Sequence, residues 1–194
     1  MGQSVVNAVE KPFLMSVEDV FHLQQGRLVM PAGRIERGRV RKGDEVEIVG
    51  RGSGVTARVV DIDASHVRID EAGADMNVGV LLRGVAADAV ERGHVLATPG
   101  SISAHVRFVA DITLMSEDQG GADVVSGDRL RFYTRSAALW GTVTLHGVDV
   151  VRPLHGAEVT VTLEEQIALE ADQPFAFRQR GRAAGSGTVR RLRR

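Results

Sequence analysis

The sequence predicts an all-β protein made of closed or nearly closed antiparallel barrels and divided into two halves. Three observations carry that expectation. Segments of strand length, rich in β-branched residues, recur along the chain with turn residues between them. Residues 45–49, Glu-Val-Glu-Ile-Val, alternate charged and apolar side chains, the period of a strand with one buried face. Residues 98–101, Thr-Pro-Gly-Ser, interrupt the pattern, and a new alternating run begins at Ala104.

In the first half, residues 28–40, 44–49 and 55–62 read as strands. Gly43, within Arg41-Lys42-Gly43-Asp44, supplies the turn before the second of these. Pro31 has no ladder donor, so its strand is expected at an edge or bulged there. Residues 78–82 form a continuous apolar run, expected deep in a barrel. Residues 86–91 read as a helical turn stopped by Gly93. In the second half, residues 106–114, 129–134, 138–145, 158–169 and 174–178 read as strands, and residues 116–128 as a polar loop. No period of roughly 20–50 residues recurs, which excludes a solenoid.

Composition narrows the function classes. A chain of 194 residues holds one large domain or two small ones. Its 43% hydrophobic content suffices for packed cores, and with 4% aromatics those cores are mostly Val, Leu, Ile and Ala. A net charge of −1 excludes a generally cationic nucleic-acid binder but leaves room for a local patch. All but two of the 24 basic residues are Arg. Arg forks phosphate and carboxylate, although abundant Ala, Gly and Val make codon bias the simpler reading. The absence of Cys excludes disulfides, thiolate chemistry and Cys-based zinc sites. No apolar run approaches the ~20 residues of a membrane span. The N-terminus has neither the basic nor the apolar region of a secretory signal. A cytoplasmic protein with no membrane contact is expected.

Chemical motifs are absent. No Gly-x-x-x-x-Gly-Lys-Ser/Thr occurs, so no nucleotide is expected. Asp118-Gln119-Gly120-Gly121 matches Asp-x-x-Gly, but without a phosphate loop it reads as a Gly-rich turn. The six histidines are dispersed, with no His-x-x-x-His spacing, so neither metal nor cofactor is expected. Glu18 and Asp19 are adjacent, and adjacent strand residues point to opposite faces, so they do not form a catalytic pair. A polar barrel rim and the lining of a binding pocket both remain open for them.

Longer motifs carry a family resemblance. Lys-Pro-Phe-Leu at 11–14, Glu-Asp-Val-Phe at 18–21, Gly-Arg-Ile-Glu-Arg-Gly at 33–38 and Asn-Val-Gly-Val-Leu-Leu-Arg-Gly at 77–84 resemble domain 2 of elongation factor Tu. Arg131-Phe132-Tyr133-Thr134-Arg135, Phe175-Ala176-Phe177-Arg178 and residues 181–187 resemble its domain 3 more loosely. The resemblance implies two antiparallel β-barrels, at residues 11–99 and 100–189. Residues 1–10 are then an extension or linker, and residues 190–194 a basic tail. The family's GTPase domain has no room in the ten residues before Lys11, so a non-enzymatic chain is expected.

The resemblance also implies sites. The acceptor end of aminoacyl-tRNA would lie near Glu18, Asp19, Phe21 and Asn77, with Asp63 in place of a family acid. The T-stem would lie near Arg135, Arg182 and Gly185. Two family cations become His66 and Val67, and residues 61–75 carry Asp61, Asp63, Asp70, Glu71 and Asp75 against Arg68 alone. That stretch is expected to repel phosphate. At the other end, Arg178, Arg180, Arg182, Arg190, Arg191, Arg193 and Arg194 follow Phe175 with no acid. The tail reads as a disordered end, an RNA contact or a docking peptide. The implied function is a translation-related binding module. Its partner would be tRNA or another RNA, or a protein partner of elongation factor Tu. The alternatives are a stand-alone interaction or decoy protein, which binds a protein or small molecule targeting the factor, and a piece cut from a full-length GTPase.

Overall fold

The computed structural model describes residues 11–52 and 54–193. The expected extension at 1–10 and the final tail residue, Arg194, lie outside them. The chain divides into two compact units between Ile102 and Ser103. Thr98 still belongs to the first unit, since its backbone N–H donates to Phe13 O and its hydroxyl accepts from Phe13 N.

The first unit contains β1 (Leu14–Ser16), β2 (Asp19–Leu23), β3 (Leu28–Arg37), β4 (Arg39–Arg41), β5 (Glu45–Val49), β6 (Val55–Ala64), β7 (Val67–Ile69), β8 (Glu71–Gly73), β9 (Asn77–Arg83) and β10 (Val95–Ala97). Antiparallel pairing runs β1-β10-β5-β6-β9-β3, and β3 returns to β1, which closes a six-stranded barrel. Closure removes the unpaired edges that an open sheet exposes. Strand β2 lies outside on β3, β7 extends from β6, and β4 pairs with β8 in a separate ribbon. On β5 the alternation expected from sequence holds: Val46 and Ile48 are buried in the core while Glu45 is exposed. On β9, Val78, Val80 and Leu82 fill the barrel, and Met30 covers Gly79 on the other face. Both faces are therefore shielded, which explains the unbroken apolar run.

Two local expectations are corrected. Pro31 is neither at an edge nor in a bulge. It is buried opposite Val20 of β2, and the β3–β9 register is unshifted between Val29↔Leu82 and Ala32↔Gly79. At Pro31, β3 therefore has a neighbour on each side, β2 and β9. Residues 86–91 form turns, with Ala89 N donating to Ala86 O, rather than a helix. The helical turns that do form are single 3-10 turns at Gln24–Gly26 and Glu117–Gln119.

The second unit contains β11 (Ser103–Leu114), β12 (Val124–Val125), β13 (Arg129–Thr134), β14 (Ala137–Leu145), β15 (Val150–Val151), β16 (Gly156–Leu169), β17 (Pro174–Gln179) and β18 (Arg182–Arg193). Six of these close a barrel in the order β11-β16-β14-β13-β17-β18. The expected loop at 116–128 holds β12, which pairs with β15. Phe108, Phe132, Phe175 and Phe177 pack together in the core, with ring centroids 5.6–6.1 Å apart.

Residues 190–193 are not a tail. They end β18 and pair with β11 through Val109↔Arg191, Phe108↔Leu192 and Arg107↔Arg193. The register shifts between Val109 and Ala110, so Arg190 is the extra residue of a β-bulge. The bulge exposes Arg190 and Arg191 together.

Candidate functional site

Four of the expected site residues meet at one groove of the first barrel. Strands β2, β3 and β9 and the β6–β7 turn frame a cavity of about 450 Å³, lined by Glu18, Phe21, Met30, Asp63, His66 and Asn77 among others. The β2–β3 pairing places Phe21 outside the barrel wall, where the residue is 45% exposed. Opposite it, Ser65 and His66 form a two-residue hairpin turn, both with positive φ (52° and 67°). Asp63 offsets that strain by accepting a hydrogen bond from His66 N at 3.0 Å. Gly33 also lines the groove and has no space for a side chain: a Cβ there would lie 1.8 Å from Ser16 O.

Asp19 does not join this lining, and its carboxylate accepts from Val20 N instead. Among the described lining residues there are two carboxylates, Glu18 and Asp63, and no Lys or Arg. Such a lining accepts hydrogen bonds from neutral donors and offers no Lys or Arg charge to a phosphate. The acids of residues 61–75 are less repulsive than their sequence suggests. Asp75 pairs with Arg34, Glu71 with Arg39 and Arg41, and Asp63 approaches Arg68 at 3.8 Å. The Arg39 hydrogen bond, with the charges of Arg39 and Arg41, holds the Glu71 carboxyl below its ordinary range.

The second barrel does not gather its expected residues. Arg135 sits at a positive φ of 48° in the β13–β14 turn, with a side chain only 9% exposed. It donates to Gln173 Oε1 at 2.7 Å and Glu170 Oε1 at 2.8 Å. Gln173 is itself buried and donates to Thr134 Oγ1 at 2.7 Å. This guanidinium ties two turns together and faces inward, so the geometry does not present it to a T-stem. Gly185 is also buried: a Cβ there would lie 2.4 Å from Thr113 O and 2.6 Å from Phe177 Cζ. Its lack of a side chain admits an aromatic ring, not a phosphate backbone. Arg182 is exposed at the start of β18. Arg190 pairs with Asp111, which raises the Arg190 pKa, and Arg191 lies 3.7 Å from Glu158. Arg193 stands opposite another cation, Arg107.

One cluster escaped the sequence reading. Arg129, Arg131 and Tyr133 share a face of β13, and Trp140 of β14 and Arg178 of β17 flank them. The alternation Arg129-Leu130-Arg131-Phe132-Tyr133 is visible in the sequence. The neighbours are not, because they depend on pairing between distant segments.

Among the described residues, no group of three or more His, Cys, Asp or Glu is placed to hold a metal ion. No helix there is long and apolar enough to cross a membrane.

The described chain is a module of two closed six-stranded antiparallel barrels, the first with a groove on its wall. Residues 29–97 match the model of elongation factor Tu domain 2, and residues 101–193 that of the elongation factor Tu C-terminal domain. The chain belongs to the elongation factor Tu family across these two domains.

Proposed function

We propose that the chain is a non-enzymatic binding module of the translation apparatus, and that its first-barrel groove receives the terminal nucleoside of a tRNA acceptor end. The observation that carries this reading is the convergence of Glu18, Phe21, Asp63 and Asn77 on one cavity of about 450 Å³. A nucleoside offers what this lining recognises. Its base stacks on Phe21, as bases do on exposed aromatic rings. Its ribose hydroxyls and exocyclic amine donate to Glu18 and Asp63, and Asn77 both donates and accepts. The absence of a lining cation fits a chain terminus, where the last sugar and base enter and the phosphates stay outside.

A second reading, a decoy or interaction protein without RNA, is favoured by the ion pairs of Arg190 and Arg191, which leave fewer cations for a phosphate backbone. Titration of the trinucleotide CCA into isotopically labelled protein separates the two. Shifts at Phe21, Asp63 and Asn77 that vanish in Phe21→Ala are expected. An unperturbed groove at saturating trinucleotide would exclude the RNA-end reading and leave the protein-partner one.

A further inference from the structure

We propose that the outer face of β14, β13 and β17 is a docking surface for an acidic segment of a partner protein, gripped by Arg131 and Arg178 beside Trp140 and Tyr133. This surface belongs to the second barrel and shares no residue with the groove.

The antiparallel register places Trp140 opposite Arg131, and Arg131 opposite Arg178, so the three lie side by side across three strands. The next rung is Ala138, Tyr133 and Ala176. Between these small neighbours Tyr133 is 36% exposed. The chain has one Trp and one Tyr, and both stand on this face. The guanidinium carbons of Arg129 and Arg131 lie 4.3 and 5.3 Å from the Trp140 centroid, and that of Arg178 lies 5.5 Å from the Tyr133 centroid. Stacking restrains each guanidinium on its ring and leaves in-plane N–H groups able to fork an acceptor.

The three arginines differ in what they hold. Arg129 is bound to Glu164 by two hydrogen bonds, at 2.6 and 3.0 Å. Arg131 and Arg178 make no ion pair among the described residues. The two forks stand on neighbouring strands, whose spacing is about 4.8 Å, and the Arg131 charge is offset only in part, by Glu164 beyond ion-pair distance. Carboxylates on alternate residues of an extended segment are about 6.8 Å apart, within reach of two long Arg side chains.

The chemistry favours a protein over RNA. Base stacking needs a bare ring face, and here guanidiniums lie over the rings. Glu164 beside Arg129 and Asp128 at the head of β13 would oppose a continuous phosphate track. A short acidic segment needs only the two forks. Arg, Trp and Tyr are also the residues that dominate binding energy at protein interfaces. Because the barrel is closed, the partner engages side chains and does not add a strand.

Trp140 makes the test specific, since it is the only tryptophan in the chain. Its emission is followed as a short alternating Asp-Ser peptide, or oligo(U) of equal length, is added to the full chain. The expected result is a saturable response to the peptide, weakened at least about tenfold in Arg131→Gln/Arg178→Gln. An unchanged melting temperature confirms that this variant folds, and Arg190→Gln should bind like the parent. The proposal is overturned by a flat response to the peptide, by equal binding in the double variant, or by tighter binding of oligo(U), which would assign the face to RNA.

Discussion

Arg135 and Gln173 are joined across the end of the second barrel: the guanidinium donates to Gln173 Oε1 at 2.7 Å, and the Gln173 amide donates onward to Thr134 Oγ1. A residue that the family resemblance marks as an RNA contact is thus a structural tie. Arg135→Ala should cost about 2 kcal/mol of stability, the scale of lost hydrogen bonds to a charged group. Urea unfolding checks this. A variant with parental stability and impaired RNA binding would restore the resemblance-based role.

Gly185 is expected to reject even a methyl group. Its neighbours at that point are the backbone oxygen of Thr113 and the buried ring of Phe177, and neither can swing aside as a flexible side chain would. Gly185→Ala should lower stability by about 1–3 kcal/mol through overpacking. Thermal melting reports it, and an unchanged midpoint would mean that β17 and β18 separate more easily than their pairing implies.

His94 sets a pH dependence. It is buried, and burial disfavours its charged form, so its folded pKa lies below 6.5; nearby Glu91 opposes this shift and Arg51 adds to it. The unfolded chain therefore takes up the proton first as pH falls. This contribution is fully present above about pH 6.5 and is lost as pH drops below it toward the folded value. Urea midpoints measured from pH 8 to pH 5 should fall more steeply for the parent than for His94→Gln. Parallel profiles would show that the ring charges equally well in both states.

Binding of an acceptor-end oligonucleotide should be only weakly salt-dependent. The described groove lining contains no Lys or Arg, and each phosphate contact on a single strand would add about 0.7 to the log–log slope. Anisotropy titrations at several salt concentrations should give a slope magnitude below about 1. A steep slope would move the binding energy to arginines elsewhere.

Legibility followed the range of the determining contacts. The β5 alternation needs only neighbouring residues, and it held in Val46 and Ile48. Glu18, Phe21 and Asn77 stand out in the sequence because they lie in segments that resemble a known family; that they line one cavity depends on strand pairing. Pro31 is an interior position because β2 pairs outside β3, a pairing that local sequence does not specify. The run Arg190-Arg191-Leu192-Arg193 looked like a solvated end because a bulge breaks the period of two that would mark it as a strand. The inward ties of Arg135 and Gly185 are invisible in the sequence because their partners, Gln173 and Thr113, come from distant parts of the chain.

The pairing of β11 with β18 has a consequence for strand order. These are the first and last strands of the second unit, and they run antiparallel with Arg107 opposite Arg193. The two ends of the unit therefore emerge at the same rim. A ring joined this way has no required starting strand. A short Gly-Ser bridge between those ends, with new termini opened at the exposed turn around Gly147, would leave every ladder in place. The pairing of β11 with β18 would become a local hairpin, and the pairing of β14 with β16, now between near neighbours in sequence, would instead unite the extremes of the rearranged unit.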